Sequence, residues 1–309
     1  MSDESAQDLP PVPDVLEKWR SEGTVKDING HKIFVHTSGP ESDHGVLIVH
    51  GYPGSSWDWQ GVVGRIGDKA RVVVSDMRGF GMSEKPLDGT YQQNYTLMLQ
   101  ADIYEAVAKD QGLKSVVLVS HDMGQTVGLE LMARQEEGRL PFKIRHSIIL
   151  DGSTLVDMIQ LAEMQVELLK QPDVAASEDL DFGDFGKGLV PTFSKETQAS
   201  GDFQSILDAM SHQVFYENGS QVMAQTLRYL KERKEDFGRW SRTFFTFQSA
   251  PMTLIWGVQD PVAVLAMAER VKKERPYTDF YKYEDVGHWP SIEAPDRIGD
   301  AIIARLNSL

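Results

Sequence analysis

Val119-Ser120-His121-Asp122-Met123-Gly124 closes the apolar run Val116-Val117-Leu118-Val119 and leads directly into a helix-like stretch, Gly124 to Glu137, that carries Leu129, Leu131, Met132 and Ala133. An apolar run this continuous reads as a strand buried on both faces. Ser120 and Gly124 stand two residues before and two after the aspartate, so neighbouring backbones can pass closely and the middle side chain is thrust above the sheet. An aspartate after a strand also serves as a helix cap. The stretch alone leaves both readings open.

Outward from it the same pattern repeats. Val46-Leu47-Ile48-Val49, Val72-Val73-Val74 and Ile148-Ile149-Leu150 are further buried runs, and a second helix-like stretch spans Tyr95 to Gln111. Strands alternating with helices predict a mostly parallel sheet flanked by helices on both faces. At its start, Thr24 to Ile28 and Lys32 to His36 flank Asn29-Gly30, the dipeptide that supplies the two positive-φ residues of a tight hairpin turn. From about Ser153 to Gln248 the alternation stops and the chain reads as helical. It resumes with a strand at Met252 to Trp256, a helix over Val262 to Lys273, a strand over Asp279 to Tyr283 and a last helix to Leu309. The expected division is an N-terminal arm and lead-in over 1–23, an α/β core over 24–152 and 249–309, and an inserted helical cap over 153–248.

Composition narrows the chemistry. The 309 residues hold 46 acidic against 31 basic side chains, a net charge of −15. That sign opposes nucleic acid and anionic lipid as partners. There is no cysteine, so thiol nucleophiles, disulfides and thiolate metal sites are excluded. The histidines, His36, His146 and His212 among them, show no metal-ligand spacing, and neither a metal nor a cofactor is expected. No run approaches the ~18 apolar residues of a membrane span, and the opening MSDESAQDLPPVPD has no export pattern. A cytoplasmic protein, monomer or homodimer, is the expectation, with the acidic leader and its Pro10-Pro11-Val12-Pro13 as a solvated arm.

Further parts follow in order. Gly257-Val258-Gln259-Asp260-Pro261 succeeds the resumed strand, and Asp285-Val286-Gly287-His288-Trp289-Pro290 succeeds the last. Nucleophile, acid and base then arrive as Asp122, Asp260 and His288, the chain order of the α/β-hydrolase triad. Val49-His50-Gly51-Tyr52-Pro53-Gly54 closes an early strand where an oxyanion amide is supplied, so the oxyanion donors are the amides of Tyr52 and Met123. Asp151, at the end of Ile148-Ile149-Leu150, is a second candidate for the acid. His121 reads as packing beside the turn. Gly79-Phe80-Gly81 lacks the third glycine of a dinucleotide fingerprint.

His50-Gly51-Tyr52-Pro53, Asp76-Met77-Arg78-Gly79-Phe80-Gly81-Met82-Ser83, His121-Asp122-Met123-Gly124 and the Asp260 and His288 segments together resemble the epoxide hydrolase and haloalkane dehalogenase group of the α/β-hydrolase superfamily. Ser120-His121-Asp122 with Gly138-Arg139-Leu140, and Asn218-Gly219-Ser220 with Leu227-Arg228-Tyr229-Leu230, are similar to its mesoderm-specific transcript branch. The resemblance implies an α/β-hydrolase fold and an ester formed on Asp122 by a small apolar electrophile. A carboxylate is already ionised at neutral pH and attacks a saturated carbon without help from a base. His288, oriented by Asp260, then activates the water that hydrolyses the ester.

The leaving group separates two enzymes. Haloalkane dehalogenases place a tryptophan after the nucleophile and an asparagine after His-Gly, where this chain has Met123 and Tyr52. Epoxide hydrolases protonate the departing oxygen from cap tyrosines; Tyr229 stands where the second is expected, and Tyr216 is the loose candidate for its partner. Trp57 and Trp59 carry indole donors that would suit a halide. Epoxide opening is the preferred reading, with haloalkane dehalogenation and a non-catalytic small-ligand binder of the same fold as alternatives. Lys231-Glu232-Arg233-Lys234-Glu235-Asp236 reads as a solvated helix face, and Phe182, Phe185, Leu189, Phe193 and Phe203 as cap core.

Overall fold

The computed structural model describes residues 9–176 and 180–309, so the start of the acidic leader lies outside the described residues. The eight strands are β1 (Thr24–Ile28), β2 (His31–Ser38), β3 (His44–Val49), β4 (Arg71–Ser75), β5 (Ser115–His121), β6 (Lys143–Leu150), β7 (Met252–Gly257) and β8 (Asp279–Tyr283). They form one sheet in the order β1-β2-β4-β3-β5-β6-β7-β8. The β1–β2 and β2–β4 pairs are antiparallel and the remaining pairs parallel. Asn29 and Gly30 take φ of 53° and 85°, as the two-residue hairpin between β1 and β2 requires.

The strand that carries Val116 to Val119 lies inside this sheet, between β3 and β6, and every residue of β5 is buried. Ligand sites in open α/β sheets form beyond the carboxyl ends of the strands. The segments ending at Val49, His121, Leu150, Gly257 and Tyr283 therefore converge on one rim. Helix Leu97–Asp110 begins where the Thr96 hydroxyl accepts the Leu99 amide, and Met123–Glu136 follows β5.

The lead-in is more than an arm. Asp14–Glu22 is a helix that buries Leu16 and Trp19; Trp19 stacks on His36 with centroids 3.8 Å apart and donates its indole N–H to Ser56 Oγ at 3.2 Å. Arg20 Nη2 reaches the His212 carbonyl at 3.0 Å. The helix thus ties the sheet to the cap. Its acidic, proline-rich approach concealed the apolar pair at Leu16 and Trp19.

The inserted region is helical, with Glu163–Lys170, Phe182–Leu189, Lys195–Gln198, Phe203–Val214, Gly219–Thr226 and Tyr229–Glu235. Phe182 and Phe185 pack against Phe215, and Phe193 lies edge-on to Phe203 and stacks on Trp289. These aromatics are core, joined at Phe193 to the loop that carries His288. The last helix of the insertion, Phe237–Thr246, belongs by its packing to the sheet layer. It rests on Met123–Glu136, where the buried Glu130 carboxylate accepts from Arg239 Nε at 2.6 Å, Trp240 Nε1 at 3.1 Å and Arg134 Nε at 3.0 Å. No helix among the described residues is long and apolar enough to cross a membrane.

Candidate active site

β5 ends at His121 and the following helix starts at Met123, so Asp122 alone makes the turn, with φ 46° and ψ −116°. A non-glycine residue held there stores on the order of 1–3 kcal/mol, which the surrounding structure must over-determine. The constraint is visible at Gly124, where a Cβ would fall 2.3 Å from the His50 carbonyl oxygen and 2.5 Å from that of Val49. Glycine at this position lets the helix start pass under the β3 loop.

That loop is fixed from below. His50 donates from Nδ1 to the Gly51 carbonyl at 2.8 Å and accepts the Met77 amide on Nε2 at 2.8 Å, and burial pushes its pKa down, consistent with a neutral ring. Asp76 accepts the Ser56 and Met82 amides, each at 2.7 Å, so Asp76-Met77-Arg78-Gly79 is the scaffold that holds this side of the site. The Tyr52 amide is thereby aimed at Asp122 and donates to Oδ2 at 2.9 Å. Met123, first in its helix, has an amide without an intrahelical acceptor. Oδ2 is held, and Oδ1 faces the other side.

On that side His288 Nε2 lies 4.0 Å from Asp122 Oδ1, and His288 Nδ1 meets Asp260 Oδ2 at 2.8 Å. The other Asp260 oxygen accepts the Val262 amide at 2.7 Å and that of Ala263 at 3.1 Å. Burial disfavours an imidazolium here, but the Asp260 charge and hydrogen bond, helped by Asp122, outweigh it and lift His288 to about 9. Asp151 is the acid that does not meet the histidine. It accepts the Gly257 amide at 2.9 Å, and burial together with the Asp260 charge pushes its pKa well up. His121 receives no charge: burial and His288 lower it to about 4, and its Nε2–H donates to the His288 carbonyl at 2.7 Å.

Tyr229 is buried within reach of the Asp122 charge, its ring 5.8 Å from that of Tyr52 and its hydroxyl beside the Arg233 guanidinium. Burial and then the Asp122 charge hold its hydroxyl well above its ordinary pKa, so it keeps its proton. Tyr216 is elsewhere. Its ring sits under the Arg20 guanidinium at 4.9 Å and the Lys85 ammonium at 5.1 Å, against the N-terminal helix, and Tyr52 is the tyrosine that faces Tyr229. Trp57 is also displaced from the expected place. It borders a groove of about 310 Å³ with Val15, Ile206 and Ile292, and among the described residues it makes no hydrogen bond or ring contact with Asp122. Trp59 is buried in the same short turn, its indole N–H unpartnered.

Two residues were not anticipated. Ser153 Oγ makes a long 3.5 Å contact with Asp122 Oδ1, and Arg233 Nη1 donates to Ser153 Oγ at 2.6 Å and to its carbonyl at 2.9 Å. Arg233 is fully buried, with its Cζ 4.7 Å from the centre of the Tyr229 ring, which overturns the solvated-face reading of its helix. The signal was present as spacing: Tyr229, Glu232 and Arg233 fall at i, i+3 and i+4, one face of a helix. Among the described residues no group of three or more His, Asp or Glu side chains is arranged to hold a metal.

A carboxylate raised on a strand-to-helix turn, with one oxygen on a backbone amide and a carboxylate-paired histidine beside the other, is the constellation of an α/β hydrolase. The family described as alpha/beta hydrolase fold matches residues 46–295, and the chain belongs to it. Its relatives include LipZ of Mycobacterium tuberculosis, 31% identical over 94% of this chain and 98% of that protein. The mesoderm-specific transcript homolog protein of Bos taurus is 30% identical over 97% of this chain and 90% of its own length. The crystal structure of haloalkane dehalogenase DbeA from Bradyrhizobium elkani USDA94 shares the fold with a TM-score of 0.72, at 19% identity over 92% of this chain and 97% of that one.

Proposed function

We propose that this protein hydrolyses epoxides to diols through an ester on Asp122. The observation that carries the reading is the division of labour between the two Asp122 oxygens: Oδ2 is held by the Tyr52 amide at 2.9 Å, while Oδ1 lies 4.0 Å from His288 Nε2 and 3.5 Å from Ser153 Oγ. Oδ1 attacks an oxirane carbon. The carbon–oxygen bond of the ring breaks, its electron pair stays on oxygen, and that oxygen takes the Tyr229 proton. The His288 imidazolium resupplies Tyr229 and is left neutral. Alkylation has by then removed the Asp122 charge, one of the causes that hold His288 high, so the neutral form is favoured when a base is needed.

Neutral His288 next takes a proton from water as the oxygen adds to the Asp122 carbonyl carbon. The tetrahedral oxyanion is then at Oδ2, where the Tyr52 and Met123 amides stabilise it, a contribution of about 2.7–4 kcal/mol per donor in comparable sites. Collapse expels the diol, protonated by His288, and the proton of the regenerated carboxylic acid returns to the imidazole. Atoms and protons close on epoxide plus water giving diol.

A halide leaving group is the second chemistry open to a nucleophilic aspartate, and DbeA is a haloalkane dehalogenase. The neighbours of Asp122 favour the epoxide: a Tyr229 phenol that keeps its proton is still more acidic than the alkoxide it would protonate, while the Trp57 indole makes no hydrogen bond to Asp122 among the described residues. Turnover of styrene oxide, 1,2-epoxyhexane and 1-bromohexane, measured side by side, tests the choice. Diol from the epoxides and no bromide release is expected. Bromide release without diol would replace the epoxide reading with dehalogenation, and saturable binding without either product would make the protein a binder.

A further inference from the structure

β6 ends at Leu150, and the segment that leaves it, Asp151-Gly152-Ser153-Thr154, runs against the start of the helix that follows Asp122. Gln125 Oε1 in that helix accepts the Thr154 amide at 3.1 Å and the Thr154 hydroxyl at 2.6 Å. A Cβ on Gly152 would fall 2.1 Å from the same oxygen, so the close approach requires glycine. It sets Ser153, itself 1% exposed, beside Asp122. From the insertion, Arg233 Nη1 closes on the other side, donating to the Ser153 carbonyl at 2.9 Å and to its Oγ at 2.6 Å. The adjacent Glu232 is engaged elsewhere, accepting the Tyr91 hydroxyl and the Leu97 amide.

A serine hydroxyl has one proton to give. The Ser153 oxygen already accepts from a guanidinium, which strengthens the hydroxyl as a donor, and the acceptor it faces is Asp122 Oδ1 at 3.5 Å. That oxygen changes charge during turnover. In the free carboxylate it shares a full negative charge, in the ester it carries little, and as the ester breaks it takes the bonding pair. A donor at Oδ1 therefore strengthens toward the transition state of hydrolysis, and only such an interaction accelerates a step. In ester formation the order is reversed, because Oδ1 starts charged and ends neutral, and the same donor favours the start.

We infer that Ser153 is a catalytic residue of the second half-reaction, donating a hydrogen bond to the departing Oδ1 of the ester, with Arg233 as the positioning residue that orients and polarises its hydroxyl. The inference rests on the Asp122 ester of the preceding section, whichever electrophile formed it. The bond between Asp122 Cγ and Oδ1 breaks, its electron pair goes to Oδ1, the His288 imidazolium supplies the proton, and Ser153 keeps its own. Ser153 Oγ and His288 Nε2, at 3.5 and 4.0 Å, thus attend the same oxygen.

Rapid-quench and intact-mass measurements of a single alkylation separate the two half-reactions. Styrene oxide and 1-bromohexane are both supplied, since each would form its ester on the same oxygen. Ser153→Ala should slow ester hydrolysis roughly 10–100-fold, the range of a hydrogen bond to a charged atom, with ester formation unchanged or faster, so that alkylated protein accumulates. Ser153→Thr keeps the hydroxyl and should restore hydrolysis. Arg233→Met, read in the hydrolysis step alone, should slow it with Ser153 in place. Hydrolysis of the ester at the wild-type rate in Ser153→Ala would overturn the inference. So would an equal slowing of both half-reactions, which would reduce the Ser153–Arg233 contact to a structural tie. Either result leaves the ester on Asp122 standing. Absence of any ester from wild type, Ser153→Ala and His288→Gln with both electrophiles is a separate outcome, and it removes the ester and the role of Ser153 together.

Discussion

The two oxygens of Asp122 are made unequal by the residues around them. The Tyr52 amide takes one, and what remains for the other is His288 and Ser153. If Tyr229 delivers the proton to the departing oxygen, Tyr229→Phe should slow ester formation from an epoxide by about 10²–10⁴, read as the burst in single-turnover quench experiments. An unaltered burst would assign the proton to another group. The charge state of His288 gives a second test. Its folded pKa of about 9 lies above the ordinary ~6.5, so the pair with Asp260 contributes stability that is complete below pH ~6.5 and is lost as pH rises through 9. Asp260→Asn removes the largest raising cause, and the His288 titration followed by NMR should move down by about 1–3 units. A midpoint still near 9 would mean that Asp122, not Asp260, sets the charge. At this scale the sequence was legible where a placement follows from chain order and turn spacing, as for Asp122, Asp260, His288 and the Tyr52 amide, which the fold brings together. It was not legible where a role depends on the direction of a side chain: Tyr216 and Trp57 have suitable chemistry and face elsewhere, while Arg233 was hidden in a charged run.

Helix Met123–Glu136 fixes the turn that carries Asp122, and what anchors it is a carboxylate in its middle. Burial pushes Glu130 up, but hydrogen bonds from Arg239, Arg134 and Trp240 outweigh it and hold the group below its ordinary value. A lowered folded pKa stabilises above the unfolded pKa of ~4.3 and is lost as pH falls through the folded one. Glu130→Gln leaves guanidinium groups of two helices facing a neutral amide, and should cost about 3 kcal/mol in urea unfolding at pH 7. The deficit should shrink as both proteins are taken into the acid range. A constant deficit would show that packing of Trp240, rather than charge, joins the helices. The same contact explains a misplaced boundary. Periodicity marks Phe237–Thr246 as helical but does not say which layer it joins, and the partner that decides it, Glu130, lies more than a hundred residues away in sequence. The Asn29-Gly30 hairpin was legible for the opposite reason, since everything that fixes it is local.

The whole molecule is a continuous sheet that gathers its functional groups on one rim and a helical insertion laid over them. Hydrogen bonds hold the layers together on both sides of the site. The His288 amide donates to the Thr192 carbonyl at 2.8 Å and Trp289 Nε1 to the Thr192 hydroxyl at 2.7 Å, while Arg233 grips Ser153 on the far side of Asp122. The insertion therefore positions His288 as well as covering Asp122. Alternation of apolar runs revealed the sheet and the insertion, because burial on both faces leaves an unbroken signature. The N-terminal helix left only Leu16 and Trp19 as its mark and was read as an arm.

The central claim is that oxygen passes into the product through Asp122. A single turnover of styrene oxide by excess enzyme in oxygen-18 water, with the diol and the peptide containing Asp122 weighed separately, addresses it directly. An unlabelled diol and one heavy oxygen in the Asp122 peptide are expected, the label reaching product only in later turnovers. Label in the diol from the first turnover, with the peptide unchanged, would show that water attacks the substrate itself and would contradict it.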